Sequence, residues 1–288
     1  MTEGATPCIA PRGPSPRMVG TCWRDRLKLA ARGRWLLARE LRRIASLPAG
    51  TAREQMSAAQ RAVAERLLRH FDVDLQIQGL ERLPGVPGLV IALHEGMADA
   101  LCLCALPLPL RFVARREVFG WPGIGPAMQR CGHIAIDPEH GARAFRRMVR
   151  EARTAIASGD HVVIFPQGTL LGIQTAFLPG AFRLAQCLDV PILPVVVTGT
   201  SRVWEHPFSA RLRYGQRVSM TVMDSIGRDE VCSADARMLC LRIQREMKRV
   251  ALDQAHVPPR HYEPERDGTW PGFRFELDPA WAQDQDSR

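Results

Sequence analysis

Between residues 73 and 251, short apolar runs alternate with segments of helical period, and few architectures accept that alternation. The runs Leu89-Val90-Ile91-Ala92-Leu93, His161-Val162-Val163-Ile164-Phe165 and Val190-Pro191-Ile192-Leu193-Pro194-Val195-Val196-Val197 follow turn residues such as Pro87-Gly88 and Gly159-Asp160. Between them Ala142, Phe145, Val149, Ala152 and Ile156 recur at helical spacing, opposite Arg143, Arg146, Arg147, Arg150 and Arg153. Leu239, Ile243, Met247 and Val250 mark a last amphipathic helix. Apolar runs without polar alternation are strands covered on both faces. The expected class is therefore α/β, with a mixed, largely buried sheet flanked by helices. A 288-residue chain that is 46% hydrophobic has enough apolar surface for one sizeable core.

Before this block, residues 23–47 read as a helix with Trp23, Leu27, Ala30, Leu37, Leu41 and Ile44 along one side. Arg24, Arg26, Lys28, Arg32, Arg34, Arg39, Arg42 and Arg43 lie between them. Two roles fit: a helix lying in an anionic membrane interface, or one packed on the core with a solvated Arg face. Thr51 and Glu54 have the spacing of a capping box, and a second helix follows to about residue 70. Val73, Leu75 and Ile77 alternate with polar residues as in a half-buried strand. Residues 118–126 have the Gly and Pro density of a shaped loop, and residues 212–222 suggest a hairpin or paired strands. The expected organisation is a disordered 1–20, basic helices over 21–70, a main domain over 71–255 and a tail over 256–288.

The formal net charge of +9 suits an anionic membrane surface or an acidic partner. Nucleic acid is not expected, since no helix-turn-helix, zinc-finger or RNA-binding motif accompanies the charge. No apolar stretch reaches the ~18 residues of a membrane span, and the N-terminus has no signal-peptide core. The eight Cys are scattered, with no C-x-x-C and no zinc spacing, so a reducing compartment and no metal are expected.

His94 ends the first buried run, and Asp99 follows five residues later with Gly96 between them. The end of a strand beside the start of a helix is where α/β folds place their chemistry. A carboxylate on one ring nitrogen fixes the tautomer and leaves the other nitrogen as a base. Taken alone, the pair is weak, and a strand-end His satisfied by an Asp cap is the readier reading.

Four segments in order resemble the glycerolipid acyltransferases, the superfamily of 1-acylglycerol-3-phosphate acyltransferases. They are the H-x4-D pair His94 and Asp99, the stretch Gly132-His133-Ile134-Ala135-Ile136-Asp137, the block Phe165-Pro166-Gln167-Gly168-Thr169-Leu170, and Val190-Pro191-Ile192-Leu193-Pro194-Val195. The resemblance implies acyl transfer from acyl-CoA or acyl-carrier protein to a hydroxyl of a lipid-like acceptor. It needs no metal or other cofactor. His94 is then the base, Asp99 orients it, and backbone N–H groups in the Gly96 or Gly168 turn stabilise the oxyanion. Phe165, Pro166, Gln167, Gly168 and Thr169 are implied to bind substrate, with Arg115 and Arg116 as possible anion ligands. The expected location is cytoplasmic, peripheral on the inner face of a membrane.

The chain departs from the family pattern at three positions. Pro138 and Leu170 stand where the family has Arg, and Gln167 where it has Glu. Neither Pro nor Leu reproduces the charge-assisted fork by which Arg holds a phosphate. Plain lysophosphatidic acid is therefore not the expected acceptor; another lysolipid, an amino-acid lipid or a secondary-metabolite alcohol is. A non-catalytic lipid- or acyl-chain-binding protein on the same fold is the alternative.

Overall fold

The computed structural model describes residues 23–170, 172–204, 212–253 and 278, and side chains from residue 31 onward. A single sheet organises them. Its strands are β1 (Asp74–Gln78), β2 (Leu89–Ala92), β3 (Leu110–Arg115), β4 (Ile134–Ile136), β5 (His161–Ile164), β6 (Ile192–Thr198) and β7 (Arg217–Val222). They lie in the order β1-β7-β6-β2-β5-β3-β4. Neighbours run parallel except β6 and β7, which are antiparallel. β2 is the central strand, and every residue in it is buried. The expected mixed, buried sheet is what forms. The expected pairing near residues 212–222 becomes β7 alone, wedged between β6 and β1, plus a single bridge from Trp204 to Leu212.

The helices are α1 (Trp23–Ala45), α2 (Arg53–His70), α3 (Asp99–Leu103), α4 (Ile124–Arg130), α5 (Gly141–Ala157), α6 (Gly180–Leu188), α7 (Thr200–Val203), α8 (Arg228–Ser233) and α9 (Ala236–Asp253). One face of the sheet packs on α1, α2 and α3 through Val90, Phe112 and Leu193 on the strands and Ile44, Leu67 and Cys102 on the helices. The other face packs on α5, α6 and α9 through Leu89, Ile91, Met148, Phe182 and Ile243. The alternation of neighbours in β2 between the two clusters is the period-2 geometry of a strand covered on both sides.

Three local expectations change. Thr51 does not form a capping box: its hydroxyl donates to Pro48 O at 2.7 Å, and α2 starts after Ala52 with no side-chain cap. The shaped loop over residues 118–126 winds into a 3-10 turn, Arg116–Gly120, and the start of α4. The helix expected to start beside His94 is short, running only from Asp99 to Leu103. The expectations for residues 1–20 and for the tail after 256 lie outside the described residues, apart from Asp278. That residue accepts from Lys248 Nζ at 2.5 Å and Gln244 Nε2 at 3.0 Å on α9.

α1 is built into the main domain. Its Glu40 is fully buried and accepts from Arg66 of α2 at 2.7 and 3.0 Å and from Arg39 at 3.0 and 3.3 Å. Burial opposes ionisation of Glu40, but the Arg66 and Arg39 hydrogen bonds outweigh it and hold the carboxyl below its ordinary value. The opposite side of α1 stays in solvent, with Trp35 61% exposed and the Arg39 guanidinium 5.2 Å from its ring centroid. No helix among the described residues is long and apolar enough to cross a membrane.

Candidate active site

β5, β2 and β6 are adjacent and parallel, so the loops leaving them converge at one edge of the sheet. β2 delivers His94, β5 delivers Phe165 to Leu170, and β6 delivers Gly199 and Thr200. A carboxylate and an imidazole far from each other's elements would need a bridging loop. Here the bridge is only the turn from His94 to Asp99. Gly96 makes that turn possible, since a Cβ on it would lie 2.7 Å from Ser201 N and 2.8 Å from Thr200 C.

His94 Nδ1 is 2.7 Å from Asp99 Oδ2. Asp99 is fully buried at the first residue of α3. Its Oδ2 also accepts from Glu95 N at 2.7 Å and Gly96 N at 3.0 Å, and its Oδ1 accepts from the Thr200 hydroxyl. Such a set of donors stabilises the ionised carboxylate without water. The pairing makes Nδ1 the protonated nitrogen of His94 and leaves the Nε2 lone pair free. The imidazole lies flat on Phe165, with centroids 3.8 Å apart and planes 15° apart. One face of the ring and one nitrogen are thereby held, and the side chain stays 19% exposed.

The exposed part of His94 opens on a cavity of about 900 Å³. β3 explains why the cavity exists. It pairs with β5 through Leu110, Arg111 and Phe112, then leaves it and pairs with β4 through Val113, Ala114 and Arg115. The sheet parts at that point, and the gap joins space on both of its faces. On one side the wall carries Leu37 and Leu41 of α1, Leu101 and Phe112; on the other it carries Phe145, Leu178 and Ala181. The volume and the apolar wall suit an aliphatic chain.

The residues expected to bind substrate divide into two groups. Phe165, Pro166, Gly168, Thr169 and Arg115 line the cavity, as does Leu170. Gln167 does not. It is 1% exposed and lies behind His94, where Oε1 accepts from His94 N at 2.6 Å. Its Nε2 donates to Gly172 O and to Thr175 Oγ1 at 3.1 Å. The side chain is a brace between the β2 and β5 loops. The next residue, Gly168, has φ +68°, a left-handed turn of the backbone.

Arg115 pairs with Glu117 at 2.7 Å and Glu139 at 2.7 Å, and Arg116 pairs with Asp137 at 2.6 Å. Both cations are therefore matched by carboxylates of the protein itself, and Arg116 is not part of the cavity wall. The two glycine turns expected to hold an oxyanion are also engaged: Gly96 N donates to Asp99, and Gly168 N donates to Phe165 O at 3.2 Å. Thr200 and the Gln167 brace are site parts that the sequence does not signal. Thr200 follows the fourth motif by five residues, and only the parallel placement of β6 beside β2 brings it to Asp99.

Residues 74–198 match the family model described as Acyltransferase. The chain is 28% identical over 187 residues to a 1-acyl-sn-glycerol-3-phosphate acyltransferase of Chlamydomonas reinhardtii, covering 62% of this chain and 56% of that protein. It is 29% identical over 122 residues to the Pseudomonas aeruginosa protein of the same name, covering 42% of this chain and 48% of that one. For the human alpha form the figures are 31% over 133 residues, 44% and 47%. The matched region spans about half the length of these curated relatives. The crystal structure of the 1-acyl-sn-glycerophosphate acyltransferase PlsC from Thermotoga maritima superposes with a TM-score of 0.66 at 17% identity, over 82% of this chain and 98% of that one, which establishes a common fold. The family-model match thus covers the stretch that carries the H-x4-D pair at the sheet edge, and this stretch is similar to the 1-acyl-sn-glycerol-3-phosphate acyltransferases.

Proposed function

We propose that the protein transfers a fatty acyl group from a thioester, acyl-CoA or acyl-carrier protein, to a hydroxyl of a lysolipid-like acceptor. The observation that carries this reading is the His94–Asp99 pair at 2.7 Å opening on an apolar cavity of about 900 Å³. An alcohol is a poor nucleophile at neutral pH. His94 Nε2 takes its proton as the oxygen attacks the thioester carbonyl carbon. The tetrahedral oxyanion then collapses, the C–S bond breaks, and the leaving thiolate takes the proton back from His94. Asp99 keeps Nδ1 protonated and stabilises the imidazolium formed between the two steps. The brace from Gln167 to His94 N holds the base still while the acceptor changes around it.

The acceptor on this reading is not plain lysophosphatidic acid. Leu170 presents apolar surface to the cavity, Pro138 lines it nearby, and Arg115 is already paired with two carboxylates. The relatives' names favour the other reading, 1-acylglycerol-3-phosphate, with Arg115 exchanging its partners for the phosphate. The exposed Arg and Trp face of α1 supports peripheral attachment to an anionic membrane, on the cytoplasmic side where both thioester donors occur.

The test is turnover of acyl-CoA and of acyl-carrier protein with lysophosphatidic acid and with neutral or zwitterionic lysolipids, for the wild type and His94→Ala. Loss of all transfer in His94→Ala is expected. Wild-type binding of acyl chains with no transfer to any hydroxyl would make the protein a lipid-binding member of the fold.

A further inference from the structure

The cavity wall between Phe112 and α4 is built from Phe112, Ala127, Met128 and Cys131, with one imidazole among them. That is His133, at the start of the segment leading into β4. Its backbone N–H donates to Met128 O at 3.0 Å, and its ring meets Phe112 edge-on with centroids 5.3 Å apart. The ring orientation is fixed by a hydrogen bond from Phe112 N to His133 Nδ1, at 3.2 Å. A backbone N–H can only donate, so Nδ1 is the unprotonated nitrogen and Nε2 carries the hydrogen. Burial, reinforced by the nearby Arg111 charge, pushes the pKa of His133 down to about 3, so the ring stays neutral in this one tautomer.

His133 Nε2–H has no acceptor among the described residues, nor is it sealed inside the packing. It faces the void. An N–H on an apolar wall has a consequence for whatever fills the cavity. Methylene groups packed over it would strip its solvation and return nothing, and a water left there would be trapped. A chain carrying an oxygen at that depth would accept the hydrogen bond. Sites built with such a donor reject the analogue that lacks the acceptor, because the donor is left unpaired.

We propose that His133 forms a specificity subsite for an oxygen atom, a hydroxyl or a keto group, borne by the aliphatic chain that occupies this cavity. The proposal rests on the acyl-transfer reading above and names its substrate class more closely. Two sources supply that chemistry: the acyl group of the donor, and the chain already resident on the acceptor. Along the wall, His133 meets Phe112, Phe112 lies 6.4 Å from Phe165, and Phe165 stacks on His94. The subsite is thus part of the same continuous wall as the base, and an oxygen partway along a chain meets it.

The experiment compares hexadecanoyl-CoA with monohydroxyhexadecanoyl-CoAs whose hydroxyl is moved along the chain, using one lysolipid acceptor. A second arm holds hexadecanoyl-CoA fixed and varies the hydroxyl on the chain of the lysolipid. The readout is the ratio of kcat/KM for hydroxylated over plain substrate in the wild type, His133→Leu and His133→Gln. A ratio of about tenfold or more is expected at one chain position in one arm, which identifies the source. His133→Leu should bring that ratio to about one, and His133→Gln, which keeps a donor, should retain part of it. A general loss of stability lowers both substrates together and leaves the ratio unchanged. A wild-type ratio near one at every position in both arms overturns the proposal, as does a preference that survives His133→Leu. If no substrate is turned over, the transfer reading fails. The subsite is then decided separately, by quenching of the fluorescence of Trp121 and Trp204 in the cavity wall with hexadecanoic and monohydroxyhexadecanoic acids. Equal affinity for the two acids refutes it there also.

Discussion

Asp99 Oδ2 receives three donors at once, from His94, Glu95 and Gly96, while Thr200 holds Oδ1. In Asp99→Asn the amide oxygen keeps the three donors, because the Thr200 hydroxyl can reverse and accept from the new NH2. The fold should therefore survive. What is lost is the negative charge facing the imidazolium, and kcat should fall on the order of 10²–10⁴-fold with the KM for acyl-CoA little changed. Near wild-type kcat in this variant would exclude the assigned role of Asp99. Gln167 offers a second contrast. A Glu there brings two acceptor oxygens against Gly172 O, which now receives the amide NH2. Gln167→Glu should lower stability by about 1–3 kcal/mol and reduce kcat, although Glu stands there in the motif that the chain resembles. Leu170→Arg, on the cavity wall, should instead raise kcat/KM for lysophosphatidic acid relative to a neutral acceptor. Thermal unfolding of the first variant and the acceptor ratio of the second check these outcomes. An unaffected Gln167→Glu protein would show that the brace is dispensable.

At the scale of elements, α1 serves two surfaces. Leu37, Leu41 and Ile44 close the cavity, and Glu40 ties the helix to α2. Deleting α1 would open the cavity and leave Arg66 without its carboxylate, so a truncation cannot isolate attachment to membranes. Substitutions on the outer face can. Trp35→Ala with Arg42→Gln and Arg43→Gln removes an exposed aromatic and two exposed charges. It should weaken sedimentation with anionic vesicles by roughly 1 kcal/mol per charge removed, and the difference should shrink in high salt. Turnover of a short-chain, water-soluble acyl-CoA should be unchanged. Equal vesicle binding by the triple variant and the wild type would assign α1 to the core alone.

At the scale of the whole molecule, the buried neutral imidazoles give stability a defined pH dependence. His133 titrates near 3 in the folded protein and near its ordinary 6.5 when unfolded, and burial lowers the pKa of His161 as well. Below about pH 6.5 the unfolded chain binds a proton that folded His133 refuses. This contribution to stability is therefore complete above that pH and falls as the pH drops, by about 1.4 kcal/mol per unit for one proton. Carboxylates held below their ordinary value, Glu40 among them, add losses on the acid side of about pH 4.5. Urea unfolding at pH 7 and pH 5 should show the decline, and His133→Gln should make it shallower. A slope between pH 5 and 6.5 that is the same in both proteins would mean that His133 ionises freely.

The continuous apolar runs over residues 89–93 and 190–197 determine, by themselves, strands covered on both faces, because only a buried sheet hides every side chain of such a run. The His94–Asp99 contact is equally legible in the sequence, since it closes within one turn and depends on local geometry alone. Contacts that span the chain are not. Thr200 reaches Asp99, and Gln167 reaches the backbone of His94, only because β6 and β5 flank β2 in parallel. In the linear motif Gln167 reads as one more residue facing substrate; tertiary structure turns it inward. The parting of β3 from β5, which creates the cavity, has no sequence signal, because β3 reads as one uninterrupted strand. The double role of α1 has the same origin. A helix with a wide apolar arc and an Arg face satisfies a membrane or a core equally well in sequence, and only burial of Glu40 against Arg66 determines which side meets the protein.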